Sequence, residues 1–277
     1  MTAPPLLAID GDSFAHRAYH ALPPSIRRAD GRPGNMIVGF ANMVVRLWEA
    51  EAPRAVLVGW DSLGSPTYRH EAFEGYQAGR EFEADLLEQL DLLPELCRAL
   101  GFATAQAPGY EADDFLAAAA GAEEARGGYC LVATSDRDAF QLASERTTIL
   151  QPTRGVSELA RIGPAEVRER YGVEPAQVPD FIALRGDPSD RLPGARGVGP
   201  KTAAQILREY GSLEGALEAG RFAAEAEDLR LYRRIASLDA SAPLPPLEDH
   251  SSSWAEASAL VRKWGLNGLA NRLAALA

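Results

Sequence analysis

Nine acidic side chains in five short segments are the residues of this 277-residue chain best able to do chemistry. Asp10 ends "LLAID" and Asp61 follows "AVLVGW". Glu111, Asp113 and Asp114 stand in "GYEADDFLAAAAG", Asp136 and Asp138 in "TSDRD", and Asp187 and Asp190 in "RGDPSDRLPG". Each alone has an ordinary reading. An aspartate after a strand is a frequent turn residue or N-cap, acids in a first helical turn suit the helix dipole, and Asp-Pro marks a turn. Gathered into one cleft without cations, the nine would repel one another and several would take up protons. Hard divalent cations relieve that repulsion. All-oxygen sites suit Mg²⁺ or Mn²⁺, and because Mg²⁺ keeps waters and takes few carboxylates directly, nine acids suit two sites with outer ligands. Two-metal sites commonly serve in-line displacement at phosphorus. The chain offers no competing chemistry: His16, His20, His70 and His250 are scattered without zinc spacing, and there is no G-x-S-x-G elbow or Walker-type loop.

The elements that must position these acids follow from the apolar pattern. Three short runs read as buried strands, "LLAI" (6–9), "AVLVGW" (55–60) and "YCLVAT" (129–134), with "TTIL" (147–150) as a fourth. Helical spacing over 36–50 and 85–100 separates them. Strands alternating with helices predict an α/β fold, a mostly parallel sheet with helices on both faces. In such a sheet Asp10, Asp61, Asp136 and Asp138 fall at one edge, outside the carboxyl ends of the strands, where these sheets bind ligands. From about residue 163 helices follow one another. The expected organisation is an α/β core over 1–162, a helical region over 163–240 that completes the site, and a connector with terminal helices over 241–277 packed back on the body. The segment 62–85, rich in aromatic and charged residues, is too long for an ordinary strand-to-helix connection and reads as functional.

Composition narrows the class. Apolar residues make up 46% of the chain, which predicts a globular protein. No window approaches eighteen apolar residues, and the first ten residues lack the basic start of an export signal. Cys97 and Cys130 are far apart, so a cytoplasmic location without disulfides is expected. The net charge of −11 argues against a nucleic-acid partner unless many acids are gathered at a metal site. Lys201 and Lys263 are the only lysines; the remaining cations are arginines, which favour bidentate phosphate contacts.

One rival reading takes Asp10, Asp12 and Ser13 as the D-x-D-x-S motif of haloacid-dehalogenase-like phosphatases, with "GDPSD" as their magnesium motif. It lacks the lysine expected between the two motifs and leaves Glu111, Asp113, Asp114, Asp136 and Asp138 without a role. The blocks "LLAIDGDSFAHRAYHAL", "GWDSLGSPTYRHEAFEGYQAGR", "GYEADDFLA", "ATSDRDAFQL" and "ALRGDPSDRLPGARGVGPKTAAQIL", in that order, resemble instead the bacterial and phage 5′-nucleases, the flap endonuclease and 5′→3′ exonuclease family, here as a stand-alone member.

That resemblance implies a PIN-like core, metal-dependent hydrolysis of DNA with a 5′ flap, nick or free 5′ end, and a monomer. It implies a first metal cluster of Asp10, Asp61, Glu111, Asp113 and Asp114 and a second of Asp136, Asp138, Asp187 and Asp190. It also implies a helix-three-turn-helix over about 178–210, with Gly197, Gly199, Lys201 and Thr202 at its hairpin and following helix start, binding duplex backbone and holding K⁺. Segment 62–85 resembles the arch or gateway for a single-stranded 5′ end. There Tyr76, Phe73 and Phe82 are candidates to stack on bases, with local packing as the alternative for the two phenylalanines. Arg17, Arg69 and Arg80 are candidate phosphate contacts. The family usually reads Tyr-Lys-x-x-Arg at "YQAGR", so Gln77 replaces a lysine thought to position the scissile phosphate, and Arg80 is the expected substitute. An amide hydrogen-bonds but supplies no charge, which leaves open a branched-DNA binder with weak or lost activity.

Overall fold

The computed structural model describes residues 3–62, 64–77, 79, 82–154 and 158–277. In chain order its regular elements are β1 (Leu6–Asp10), α1 (Gly11–Ala21), α2 (Asn35–Glu51), β2 (Ala55–Gly59), α3 (Tyr68–Ala72), α4 (Ala84–Ala99), β3 (Ala103–Ala105), α5 (Ala112–Ala125), β4 (Cys130–Ala133), β5 (Thr147–Arg154) and β6 (Glu158–Ile162). Then come α6 (Pro164–Tyr171), α7 (Val178–Arg185), α8 (Pro200–Tyr210), α9 (Leu213–Glu218), α10 (Ala226–Ala236), α11 (Trp254–Lys263) and α12 (Asn267–Ala274).

The six strands form one sheet in the order β3-β2-β1-β4-β5-β6. All pairs are parallel except β5–β6. β1, β2 and β4 are buried along their whole length, which is why they read as unbroken apolar runs rather than alternating ones. Their side chains still divide by the two-residue period of a strand. Leu7, Ile9, Val56 and Val58 face a layer with α1, α2, α4, α11 and α12. Leu6, Ala8, Leu57 and Val132 face α5 and the helices of 167–236. One core therefore runs from the sheet into the helical region.

The parallel register sets Asp10 level with Gly59, and Ile9 level with Ala133. The connection order reverses between β1 and β4, so the carboxyl ends of these two strands bound the crevice expected at a topological switch point. Two glycines let neighbouring segments close on it. A Cβ at Gly11 would stand 2.5 Å from the Trp60 ring, and one at Gly59 would stand 2.7 Å from the Ala112 carbonyl oxygen at the start of α5. Only a residue without a side chain permits either approach. Between α7 and α8 the chain makes a hairpin in which Asp187 and Leu192 exchange backbone hydrogen bonds of 2.9 and 2.8 Å.

Candidate active site

A cleft of about 1060 Å³ opens at this sheet edge. Eight of the nine expected acids line it, together with Asp12. Asp10 ends β1 and caps α1, accepting from Ser13 N–H at 2.9 Å with one oxygen and from the Thr134 hydroxyl at 2.7 Å with the other. Asp12, in the first turn of α1, accepts the Asp61 N–H at 2.7 Å, and Asp61 in turn accepts the Ala112 N–H at 2.8 Å. Glu111 caps α5 and accepts from Thr67, Arg69 and Tyr76. Asp113 presents a buried Oδ1 with no hydrogen-bond partner; the nearest cation, Arg69 Nη2, is 3.9 Å away.

Asp114 is turned away from the cleft. It is fully buried. Its two oxygens accept from Arg69 at 2.8 and 2.9 Å, and also from the backbone N–H groups of Glu111 and Asp239. The expectation of a metal ligand at Asp114 is corrected by this saturation: both oxygens are spent holding Arg69 and the start of α5.

The second group faces the first. Asp136 follows β4 and accepts the Asp138 N–H at 2.9 Å. Asp138 is buried. Asp187 and Asp190 come from the hairpin after α7. Asp187 accepts from Ser189 N–H, the Ser189 hydroxyl and Arg185, and Asp190 accepts from Gln77 Nε2 at 3.3 Å.

Burial, and after it the crowding of like charge, shows in the protonation of these groups. Burial, with added repulsion from Asp61 and Asp136, outweighs the hydrogen bonds to Asp10 and lifts its pKa to about 7. Glu111 also rises to about 7, by burial and despite Arg69. Asp12, Asp113 and Asp138 are raised by burial and by their acidic neighbours. An all-oxygen set with elevated pKa values and an unpartnered buried oxygen fits hard divalent cations. Among the described residues no three such side chains converge tightly enough to grip one ion by themselves. A hydrated Mg²⁺, which takes one or two carboxylates directly, matches that spacing.

Two family descriptions match the sequence: the 5′-3′ exonuclease N-terminal resolvase-like domain over residues 5–172 and the 5′-3′ exonuclease C-terminal SAM fold over 173–257. The chain belongs to the 5′-3′ exonuclease family. It is 45% identical to DNA polymerase I of Mycobacterium leprae over 78% of its own length and 24% of that protein. It is 38% identical to the thermostable DNA polymerase I of Thermus aquaticus over 86% of its length and 29% of the relative. The chain thus spans about a quarter of the length of these relatives. In fold it is similar to the bacteriophage T5 5′-exonuclease, including a form with divalent zinc bound (TM-score 0.69, 19% identity, 97% of both chains). It is likewise similar to the catalytic core of Rad2 in complex with DNA (TM-score 0.63, 14% identity, 97% of this chain and 91% of that one).

Within this member of the 5′-3′ exonuclease family the DNA-contact expectations fare unevenly. Arg69 is corrected: it is 1% exposed and fully engaged by Glu111, Asp114 and the carbonyls of Ile235 and Ser237. Burial opposes its charge, yet Asp113, Asp114 and Glu111 raise its pKa further. It cannot reach a phosphate. Tyr76 is corrected too: it is 4% exposed, and its hydroxyl donates to Glu111 at 2.9 Å rather than its ring meeting a base. Phe73 packs edge-on against Tyr232 of α10, 5.9 Å between centroids. Phe82 stays 37% exposed beside His16 at the cleft. Arg17 lines the cleft and donates to the Pro152 carbonyl and Ser135. Arg80 lies outside the described residues. Gly197, Gly199, Lys201 and Thr202 are exposed at the start of α8. Sequence reasoning missed Asp12 as a cleft residue, although its D-x-D context was visible, and missed Arg137, an exposed cation between Asp136 and Asp138 that lines the cleft. The phosphatase reading falls with the family assignment.

Proposed function

We propose that the protein is a structure-specific 5′-nuclease that hydrolyses phosphodiester bonds at or near 5′ ends of DNA. The observation that carries this is the meeting of two acidic groups, one from the strand edge and α5 and one from the β4 end and the α7–α8 hairpin, across a single open cleft. Asp10, Asp61, Glu111 and Asp113 would hold one divalent ion and Asp136, Asp138, Asp187 and Asp190 a second, with Mg²⁺ or Mn²⁺ as the matching ions. When bound, such ions lower the pKa of water and stabilise the attacking and leaving oxygens at phosphorus.

The chain's own residues do the rest. Asp12 fixes the Asp61 backbone, and Thr134 and Ser13 fix Asp10, so the carboxylates are aimed before substrate arrives. The N–H groups at the start of α8, opened by Gly197 and Gly199, suit duplex phosphates, which position DNA without reading its sequence. K⁺ at that hairpin belongs to the same reading. Phe82 and His16 offer a stacking surface for the 5′ strand at the cleft.

Cleavage of a 5′-labelled flap on a nicked duplex, in Mg²⁺, in Mn²⁺ and in chelator, tests this. Short 5′ fragments released only with metal are the expected result, and fragment length separates exonucleolytic from flap cutting. Gln77, neutral at the gateway, favours the second reading of a branched-DNA binder. Tight binding without cleavage in either metal would replace the nuclease by that binder.

A further inference from the structure

Nine carboxylates line the cleft, so a DNA strand that enters it needs cationic contacts besides the metals. Of the four guanidiniums already there, Arg137 is exposed and the other three are spent. Arg69 is held by Asp114 and Glu111, Arg185 by Asp187, and Arg17 by Pro152 and Ser135. Next in the chain after Asp190, which lines the cleft, stands Arg191. It is exposed, and its side chain makes no ion pair or hydrogen bond among the described residues. Its Nη2 lies against the gateway segment, 3.2 Å from where a Cβ on Gly79 would be.

The backbone there is also unusual. Arg191 has φ +58°, and Gln77 has φ +47°; they are two of only four non-glycine residues with positive φ among those described. Both meet at Asp190, one as its chain neighbour and the other through the 3.3 Å hydrogen bond from Gln77. A left-handed arginine closing the 187–192 hairpin is strained where glycine or asparagine would not be, and such strain gathers at functional sites.

We propose that Arg191 binds a phosphate of the strand that enters the cleft where segment 62–85 meets the second acidic group, supplying there the positive charge that Gln77 lacks. This rests on the nuclease reading. It places one phosphate contact where the α7–α8 hairpin touches segment 62–85.

The test is the R191N variant, since asparagine accepts the left-handed conformation. Binding of 5′-flap DNA is measured in chelator across a salt series, beside melting temperature. The expected result is about a 5- to 10-fold weaker affinity at low salt and a salt slope shallower by about 0.7, the value of one single-strand phosphate contact. The melting temperature should be unchanged or higher, because strain is relieved. R191K should keep most of the affinity, and Q77K should restore it in the R191N background. Unchanged affinity and slope in R191N would overturn the proposal, as would a lowered melting temperature with no retention by R191K. Because binding is read without metal, a wild-type protein that fails to cut overturns the nuclease reading while Arg191 is still decided.

Discussion

Asp113 and Asp114 are adjacent in sequence and opposite in circumstance. Asp114 is buried against Arg69 with every oxygen engaged, whereas Asp113 lines the cleft and its Oδ1 accepts no hydrogen bond. Their neutral variants should therefore diverge. Asp114→Asn leaves Arg69 short of its bidentate partner and should cost about 3 kcal/mol or more in chemical denaturation. Asp113→Asn removes a repelled charge and should leave metal-free stability unchanged or raised, while cleavage falls about 100-fold. Equal destabilisation of the two would refute the division of labour. Asp136, exposed at the end of β4, should behave like Asp113 in activity: Asp136→Ala should lose cleavage by about 100-fold and hold flap DNA within about 3-fold of wild type. Retained activity would remove the second acidic group from catalysis. Nothing in "EADDF" distinguishes Asp113 from Asp114, because which carboxylate faces out depends on Arg69, some forty residues away in sequence.

Helix α3, within segment 62–85, is fixed through its Arg69 and Tyr68 side chains. The Arg69 guanidinium joins the α5 acids to the carbonyl end of α10, and the Tyr68 hydroxyl donates to the same Ser237 carbonyl at 2.9 Å. Arg69→Met should leave Glu111 and Asp114 buried without a counter-charge, with a loss of about 3–5 kcal/mol. Adding Asp114→Asn should recover part of it, and a double-mutant cycle in denaturant measures the coupling. Additive losses would mean that the pair does not act as a unit. At this scale the sequence was legible where elements bury both faces: β1, β2, β4, α2 and α4 stand as continuous apolar runs or helical stripes. It was illegible where pairing alone defines the element. β3 is three residues, "ATA", and β6 is an antiparallel edge strand, "ELARI", whose Glu158, Leu159 and Arg161 are exposed. Neither buries enough to leave a pattern. Tyr76 was misread for a related reason: composition marks a functional loop, but only the fold shows that this side chain turns inward.

Nine of the 39 acidic residues line one cleft, against four of the 28 basic ones, so negative charge is dense at one place. That makes stability, pH and metal a single linked quantity. In the metal-free protein Asp10 and Glu111 titrate near 7, well above the ordinary carboxylate value they regain on unfolding. Between those values the folded state holds more protons than the unfolded chain, so their contribution is present at low pH and is lost as pH rises through about 7. In chelator, the melting temperature should fall by about 5 °C or more between about pH 5.5 and about pH 8. Divalent cations reverse the sign. They bind the ionised carboxylates of the folded state alone, and their affinity grows as protons leave. With saturating Mg²⁺ the melting temperature should instead hold or rise over the same interval, and scanning calorimetry at the two pH values, with and without metal, reads both slopes. A metal-free protein equally stable at both values would mean that burial and crowding do not lift these carboxylates. A slope that Mg²⁺ leaves unchanged would mean that they do not close on an ion, and the cleft would then be a concentration of charge without the chemistry that justifies it.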